Sequence, residues 1–293
     1  MAGIYKAYDV RGLYPEQINE ETARQIGLAF HNVLDPADRS SGSEVIVSRD
    51  MRSHSEPLSE ALIDGLRASG LNVCFVGLAT TPMNYFAIGS LGAAGGVQVT
   101  ASHNPARYNG LKFSLRGARP VSGDHGIPLL EKKVSTGDLP TAEIRCNLRQ
   151  ADVFEDYGKH VLSFLERGPG MKRLKVAVDA ANGMGKLYLQ LLEAMDIEMV
   201  RLYFELDGTF PNHEANPLKL ENLRDISDLV RSSGADLGIA FDGDGDRAAF
   251  LDERGEPIGS DIMTALIGGE LLARQPGKHV LFDLRSSRAV AEY

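Results

Sequence analysis

The sequence predicts an α/β protein with two consecutive three-layer domains, mixed or mostly parallel sheets, and the incomplete start of a third similar domain. Short apolar runs alternate with amphipathic stretches of helical length, as in βαβ units. A polar, aperiodic stretch at 132–147 separates two such series. The 293 residues exceed one ordinary core, and 43% hydrophobic with 24% charged residues is typical of a globular protein.

The first unit consists of alternating helices and strands. Apolar residues recur at helical spacing until Pro36 ends the first helix, and hydroxyl caps followed by Pro82 start a later one. Tyr108-Asn109-Gly110 predicts a tight turn into a strand that places Lys112 on a hairpin arm near Ser102. The predicted elements are helices 21–34, 55–69 and 81–91 and strands 44–48, 72–76, 96–100 and 111–115.

The pattern starts again after the polar stretch, which we interpret as a linker. A third unit begins near Ile258 with a predicted helix at 261–273 and strand at 279–283. One helix and one strand cannot cover both faces of a sheet, so we expect this unit to be partial. The second unit has predicted helices 152–165, 186–194 and 220–233 and strands 174–179, 197–203 and 236–241. The expected domains are 1–148, 149–256 and 257–293.

Composition disfavours several classes of protein. A net charge of −9 argues against a nucleic-acid partner, which clustered lysines and arginines would bind. No apolar run approaches the roughly 20 residues that cross a bilayer, and the first residues are not a signal peptide. We therefore expect no membrane contact and a cytoplasmic location. Cys74 and Cys146 lack the spacing of a zinc site or disulfide framework, and Cys74 is expected to be a small core residue.

The turn Thr100-Ala101-Ser102-His103-Asn104-Pro105 follows an apolar strand and is cut off by proline. It brings a hydroxyl and an imidazole to the carboxyl end of a strand, where open α/β sheets build their sites. Adjacent serine and histidine prove little alone, since neighbours on a strand point to opposite faces and a plain surface turn is the common case. The strand-end position, the flanking polar residues and a separate acidic motif favour a functional site.

Asp242, Asp244 and Asp246 alternate with glycine after another apolar run. Glycine permits a tight wrap, so three carboxylates can converge on one hard cation. A solvated acidic loop is one alternative, but like charges this close repel unless a cation compensates. An EF-hand is another, because Glu253 lies at the twelfth position. Arg247 occupies the sixth, where glycine is required, and the flanks have the pattern of strands.

Together these turns predict that Ser102 carries phosphate and faces a Mg²⁺ bound by the three aspartates, because Mg²⁺ seeks phosphate oxygens. Arg247 can steady that phosphate or orient the aspartates. Lys112 is the best nearby candidate for a general base, on the condition that a cationic neighbour lowers its pKa. These residues alone do not distinguish phosphoryl transfer from hydrolysis.

Further arginines follow short strands of the first unit. Arg11, Arg49 and Arg52 lie beside aspartates, and arginine–carboxylate pairs that only brace loops are the common case. Phosphate binding or active-site orientation is the alternative, with Arg11 the strongest candidate. The glycine-rich turn at 179–185 could hold phosphate at a helix N-terminus, but it lacks the dinucleotide fingerprint, and close packing is the commoner reason for such glycines.

These motifs resemble the α-D-phosphohexomutase family, and most closely its bacterial phosphomannomutase/phosphoglucomutase branch. They occur in the family's order across nearly the whole chain. The resemblance rests on the Ser102 turn, the aspartate loop, Tyr8-Asp9-Val10-Arg11-Gly12, Arg49-Asp50-Met51-Arg52 and the segments 108–112 and 179–183.

The resemblance implies a mutase that interconverts hexose 1-phosphate and hexose 6-phosphate of mannose or glucose through a hexose bisphosphate that turns over in the site. A phosphoserine and three aspartates hold Mg²⁺ in that family. The implied catalytic residues are Ser102, His103, Lys112, Arg11 and Arg247, and the implied metal ligands are Ser102, Asp242, Asp244 and Asp246.

The family has four domains, of which the third supplies a sugar-recognition loop and the fourth grips the non-reacting phosphate. Neither segment is found in this sequence, and Arg285 with Ser286 resembles only the entry to the third domain. We expect the chain to bind Mg²⁺ and hold phosphate, yet to isomerise poorly without a partner chain that supplies the C-terminal domains. The alternatives are a Mg²⁺-dependent phosphatase using Ser102 and a non-catalytic Mg²⁺-binding fragment. The preference among mannose, glucose and glucosamine phosphates stays open.

Overall fold

Two twisted sheets, each covered by helices, organise the chain in the computed structural model. Arg285, part of the predicted entry to a third domain, lies outside the described residues. The structure describes residues 3–40, 42–143, 145–165, 172–284 and 286–292.

The first sheet is mixed. Its strands are β1 (Asp9–Leu13), β2 (Glu44–Arg49), β3 (Asn72–Leu78), β4 (Gly95–Val99), β5 (Tyr108–Leu115), β6 (Arg119–Pro120) and β7 (Leu148–Gln150). They lie in the order β1-β5-β4-β2-β3-β7, with β6 paired to β5. Strands β4, β2, β3 and β7 are parallel, whereas β5 is antiparallel to both β1 and β4. The β4–β5 hairpin carries Lys112 beside the Ser102 turn, as predicted.

Helices cover both faces of this sheet, which gives three layers. They are α1 (Glu20–Phe30), α2 (Ser55–Ala68), α3 (Thr81–Ser90) and α4 (Ile127–Thr136). Alternation along β2 divides the core, because Val45 and Val47 pack with α1, α2 and α4, whereas Ile46 packs with α3. Cys74 is fully buried on the α3 side, which confirms that it is a core residue.

Two glycines let α1 and α2 approach closely. An added Cβ at Gly65 would lie 2.1 Å from the Arg24 carbonyl oxygen, and one at Gly27 would lie 2.5 Å from the Leu62 carbonyl oxygen. We expect Gly65→Ala to lower the free energy of unfolding by about 1 to 3 kcal/mol, because the two backbones must move apart. Chemical denaturation would measure this change.

The control is Gly89→Ala in α3, where an added Cβ would meet no atom within 4 Å. The free energy of unfolding of that variant is expected to rise by about 0.5 to 1 kcal/mol, since alanine is a better helix former than glycine. Equal effects of the two substitutions would show that helix contact is not what requires Gly65.

The second sheet has the same layered design. Its strands are β8 (Lys175–Asp179), β9 (Glu198–Leu202), β10 (Leu237–Phe241), β11 (Ala248–Leu251) and β12 (Pro257–Ile258), in the order β12-β11-β10-β8-β9. Its helices are α5 (Phe154–Leu162), α6 (Leu189–Ala194) and α7 (Arg224–Ser233). Strands β10, β8 and β9 are parallel, and β10–β11 is an antiparallel hairpin. Val176 and Val178 pack beside α5 and α6, whereas Ala177 packs under α7.

Helix α3 joins the two units. Ala79, just before α3, and Met83, in its first turn, belong to the apolar cluster that covers the second sheet, while Ala87 and Ile88 pack on the first. The Thr80 hydroxyl accepts the Met83 N–H at 3.3 Å, so the predicted cap forms. The carboxyl ends of β4 and β10 therefore meet near this helix N-terminus.

Three local predictions are wrong. The segment 108–110 is not a turn but part of β5, because the Asn-Gly pair serves close approach to β1: an added Cβ at Gly110 would lie 2.4 Å from the Val10 carbonyl oxygen. The linker begins only after Gly137, which ends α4 with a φ of 67°. Residues 279–283, all described, form no strand, since no described strand pairs with them and Leu281 is 93% exposed.

The remaining α-helices of the described residues are α8 (Ser260–Arg274) and α9 (Ala289–Glu292), and short 3₁₀ helices lie at Pro36–Asp38, Arg116–Ala118, Met184–Tyr188 and Leu220–Leu223. Helix α8 matches the predicted helix at 261–273. None of the helices in the described ranges is long and apolar enough to span a bilayer.

Candidate active site

The Ser102 turn and the aspartate loop lie in direct contact. The Ser102 hydroxyl donates to Asp242 Oδ2 at 2.9 Å, and Arg247 Nη2 donates to Ser102 Oγ at 2.8 Å. Strand β4 of the first sheet and strand β10 of the second sheet both end where the two units meet. Residues 140 positions apart in the chain therefore become neighbours. The structure therefore brings together the two turns that the sequence singled out.

Ser102 is held in an unusual backbone conformation. Its φ is 52°, and only 2% of its surface is exposed. Its N–H donates to Thr100 Oγ1 at 2.8 Å, and that hydroxyl donates to Asp50 at 2.7 Å. Strand β4 ends at Val99, so Ser102 and His103 do not alternate as strand neighbours, and His103 Nδ1 lies 3.3 Å from Ser102 Oγ. Ser102 and His103 were expected to point to opposite faces of a strand. They lie instead in the turn after β4, where their side chains approach each other.

The aspartate loop connects β10 to β11. Gly245 adopts a φ of 71°, and an added Cβ at Gly243 would lie 2.4 Å from the Ser102 carbonyl oxygen, so glycine is required for close contact. The flanking elements are strands, which excludes an EF-hand. Asp242 and Asp244 are fully buried, which excludes a solvated acidic loop.

The three carboxylates fit a hard divalent cation. One oxygen from each of Asp242, Asp244 and Asp246 lies within 4.8 Å of the others. Within the described part of the chain, Asp244 Oδ1 is buried and has no hydrogen-bond partner. A buried acceptor left unpaired is costly unless a ligand satisfies it, and an all-oxygen donor set suits Mg²⁺.

Lys112 faces the aspartates. Its Nζ lies 2.6 Å from Asp244 Oδ2 and 2.6 Å from Asp246 Oδ2. Burial opposes its charge, but the two carboxylates raise the pKa of Lys112 above its ordinary value. The general-base prediction required a cationic neighbour that would lower the pKa of Lys112. The neighbours are instead two carboxylates, which keep the amine protonated.

Burial and neighbouring charges separate the other titrating groups. Burial and the adjacent carboxylates raise the pKa of Asp242, whereas Asp244, despite its burial, has a lowered pKa because Lys112 pairs with it. Burial, Arg247 and Arg11 lower the pKa of His103 to about 4, so its ring is neutral at pH 7. Arg247 also contacts His103 Nδ1 directly.

The arginines of the first unit divide into different roles. Arg11 donates to Asn104 Oδ1 at 2.8 Å and to Asp9 at 2.5 Å, beside the Ser102 turn. Arg49 pairs with Glu56 at 3.4 Å and braces a loop. Arg52 is 1% exposed, and its guanidinium donates to the backbone carbonyl of Ser102. The sequence had favoured Arg11 over Arg52 as the residue that binds phosphate or orients the site.

Sequence reasoning treated Thr81 only as part of a helix cap. Its hydroxyl donates to Asp244 Oδ2 at 2.5 Å, and its N–H donates to the Asp244 carbonyl at 3.0 Å. The only signal was its place at a helix start that follows a strand. At the turn 179–185, an added Cβ at Gly183 would lie 2.9 Å from the Gly243 carbonyl oxygen, so its glycine supports the aspartate loop by close packing.

The same region is supported by a pair that the sequence did not predict, the partly buried His213 and the buried Asp179. His213 Nε2 lies 2.9 Å from Asp179 Oδ2, and the carboxylate's other oxygen accepts the Ala181 N–H at 2.7 Å. Burial opposes a charged ring, but the hydrogen bond and charge of Asp179 raise the pKa of His213, with Asp225 adding to the effect. The pair anchors the loop after β9 to the end of β8.

We expect His213→Gln to cost about 1 to 3 kcal/mol of unfolding free energy at acidic pH, as for a hydrogen bond between charged groups. Because the folded pKa is raised, this contribution is fully present below the unfolded pKa near 6.5 and is lost as pH rises through the folded pKa. Denaturation curves from pH 5.5 to 8.5 would measure it. The exposed His125, changed to Gln, is the control, and a constant difference across that range would contradict the account.

Family models match both units. Residues 3–140 match phosphoglucomutase/phosphomannomutase alpha/beta/alpha domain I, and residues 155–255 match domain II of the same family.

Three similar proteins illustrate the relation. The chain is 41% identical over 282 residues to the phosphohexose mutases protein of Xanthomonas campestris pv. campestris, covering 96% of this chain and 61% of that one. It is 37% identical to the phosphomannomutase/phosphoglucomutase of Pseudomonas syringae pv. tomato, with 97% and 59% covered. A phosphoglucomutase/phosphomannomutase family structure from Burkholderia thailandensis superposes with a TM-score of 0.90 at 36% identity, covering 99% of this chain and 63% of that chain.

The chain thus spans about three fifths of the length of the relatives it matches. The two domain models of one family match the chain in succession, and the alpha/beta/alpha layers that they describe are those of the two sheets. The chain belongs to the phosphoglucomutase/phosphomannomutase family.

Proposed function

We propose that this chain forms the phosphoserine and metal-binding part of a phosphohexomutase that interconverts the 1- and 6-phosphates of mannose or glucose. The observation that carries the proposal is the Ser102 hydroxyl, bonded to Asp242 and Arg247, beside a buried unpaired oxygen of Asp244. Phosphoryl transfer requires a positioned nucleophile and compensation of phosphate charge, and these groups supply both. The names of the relatives support the substrate class.

Asp242, Asp244 and Asp246 would hold Mg²⁺, and a phosphate on Ser102 would complete its ligands. When bound, Mg²⁺ compensates the charge that spreads over the phosphate oxygens during transfer. Arg247 keeps its bond to Ser102 Oγ and steadies the phosphate from the other side. Arg11 and neutral His103 line the same turn and contribute donors to the phosphate.

The reaction balances within these residues and the substrate. Ser102 Oγ forms a bond to phosphorus of a hexose bisphosphate while the bond between that phosphorus and a sugar oxygen breaks. The Ser102 hydroxyl gives its proton to Asp242, whose Oδ2 accepts it at 2.9 Å, and Lys112, protonated between two carboxylates, gives a proton to the departing sugar oxygen. In the reverse direction the Lys112 amine, left neutral by that donation, takes the proton back from the sugar hydroxyl that attacks the phosphoserine, and Asp242 returns its proton to Ser102 Oγ.

Several finer points belong to the same proposal. Residues 1–148 would form the phosphoserine domain, 149–256 the metal-binding domain and 257–293 part of a third. Strand β7 crosses the first of these boundaries because Leu148–Gln150 pairs with β3. The need for a partner chain, weak turnover without it and the cytoplasmic location stay predictions.

Intact mass of the purified chain, before and after glucose 1,6-bisphosphate and Mg²⁺, tests the proposal. The expected result is one added phosphate on Ser102, returned when hexose monophosphate is supplied. Release of inorganic phosphate without return to sugar would instead indicate the phosphatase. Metal binding without phosphate uptake would indicate the non-catalytic fragment.

A further inference from the structure

Arg52 is a buried cation whose hydrogen-bonding capacity is completely used. A guanidinium carries five N–H donors, and each of those in Arg52 has an acceptor within 3.2 Å. Nε donates to Asp50 Oδ2, whereas the four terminal donors go to backbone carbonyls of one short segment. Those carbonyls belong to Ser102, Asn104, Pro105 and Tyr108.

The segment that carries these carbonyls, 102–108, is the nucleophile loop. It connects β4 to Tyr108, the first residue of β5, and residues 102–107 lie outside the strands. A left-handed conformation at a residue other than glycine persists only where its surroundings over-determine it, and Ser102 has such a conformation. Four carbonyls directed at one planar cation provide that constraint. Lysine cannot reproduce it, because an ammonium has three donors and no fixed plane.

The second unit reaches over the same arginine. The Phe210 ring lies 4.9 Å from the Arg52 guanidinium carbon, in cation–π geometry. An added Cβ at Gly208 would lie 2.6 Å from the Arg52 Cα, so the loop after β9 lies directly on the Arg52 backbone. Phe210 also forms a small apolar cluster with Ala181 and Ala215 of its own unit and Met51 and Ala106 of the other.

We infer that Arg52 is a positioning residue for the Ser102 nucleophile, and that Phe210 of the second unit holds Arg52 in place. Docking of the second unit would then bring the aspartates to Ser102 and, through Phe210, also fix the conformation from which Ser102 reacts. The inference rests on the proposed function for its catalytic consequence. The contacts reach Ser102 only at its backbone carbonyl, and they involve none of the three aspartates and not Lys112.

The test compares Arg52→Lys, Phe210→Leu and Phe210→Tyr with the unchanged chain. The readouts are the rate of phosphate uptake from saturating glucose 1,6-bisphosphate and the affinity of the aspartates for Mn²⁺. We expect Arg52→Lys and Phe210→Leu to take up phosphate about tenfold more slowly, equivalent to about 1.4 kcal/mol, with Mn²⁺ affinity unchanged within about threefold. Phe210→Tyr keeps the ring and is expected to restore the rate. Phe154→Leu removes an aromatic ring at the start of α5, against the apolar cluster that covers the second sheet, and is expected to leave the rate of phosphate uptake unchanged.

The inference is overturned if Arg52→Lys or Phe210→Leu takes up phosphate as fast as the unchanged chain. It is also overturned if Phe154→Leu is slowed as much as Phe210→Leu. If Arg52→Lys does not fold, the rates of phosphate uptake by Phe210→Leu and Phe210→Tyr test the inference, and equal rates would overturn it. If the unchanged chain takes up no phosphate, the proposed function fails, and hydrogen exchange then tests the positioning contacts. The backbone amides of residues 102–108 other than Pro105 should exchange about tenfold faster in Phe210→Leu than in Phe210→Tyr, and equal exchange would contradict the inference.

Discussion

The Ser102→Ala variant is expected to take up no phosphate from glucose 1,6-bisphosphate and to lose phosphoryl transfer by a factor on the order of 10⁴ or more. The hydroxyl is the only serine oxygen among the described residues that is bonded to both Asp242 and Arg247. Without it no covalent intermediate forms, because none of the other groups bonded there is a comparable nucleophile. Intact mass and a coupled assay would measure the two losses.

The Mg²⁺ affinity of Ser102→Ala should stay within about threefold of that of the unchanged chain, since the three carboxylates remain. Alanine is disfavoured at a φ of 52°, so Ser102→Gly is the companion variant, lacking the hydroxyl without backbone strain. Ser135→Ala, on an exposed part of α4, is the matched control and should behave like the unchanged chain. Phosphate uptake by Ser102→Gly would show that another residue is the nucleophile.

The second large effect is expected for Asp244→Asn, which should weaken Mg²⁺ binding by about 100-fold or more. Loss of supporting hydrogen bonds around metal ligands already costs about 10- to 100-fold, and this change removes a ligand charge. The residue is fully buried, and its Oδ1 is the unpaired acceptor that suits the ion. Isothermal titration with Mg²⁺ or Mn²⁺ would measure the affinity.

Thermal stability provides an independent readout of the same change. Ligand at about 100 times its Kd stabilises a protein by about 2.7 kcal/mol, so the unchanged chain should melt at higher temperature with Mg²⁺. Asp244→Asn should show almost no such shift. Asp252→Asn, in the turn between β11 and β12 and paired with Arg254, is the control and should retain the full shift. Equal shifts in both variants would place the ion elsewhere.

Much of the fold was predictable because it depends on local pattern. The predicted helix 55–69 is observed at Ser55–Ala68, and the strand 44–48 at Glu44–Arg49. The aspartate loop was predictable for the same reason, since alternation of glycine and aspartate is a property of adjacent residues. Its contact with Ser102 was a hypothesis drawn from phosphate and Mg²⁺ chemistry, because β4 and β10 lie in different sheets and only the docking of the two units brings their ends together.

What the sequence did not predict depends on paths that loops take in three dimensions. The Asn109-Gly110 pair has the chemistry of a turn, yet close approach of β1 makes it part of a strand. The four carbonyls around Arg52 belong to a loop whose course no periodicity describes. Phe210 lies in another irregular loop, 158 positions beyond Arg52, and only the docking of the two units brings them together.

The central claim is that phosphate on Ser102 and the three aspartates share one divalent ion. Pulsed electron–nuclear double resonance on the Mn²⁺-loaded phosphoprotein tests it most directly, because it detects ³¹P bonded through oxygen to the ion. The account predicts a strong ³¹P coupling that disappears in the Ser102→Ala protein. Mn²⁺ bound at the aspartates of a fully phosphorylated chain with no ³¹P coupling would contradict it.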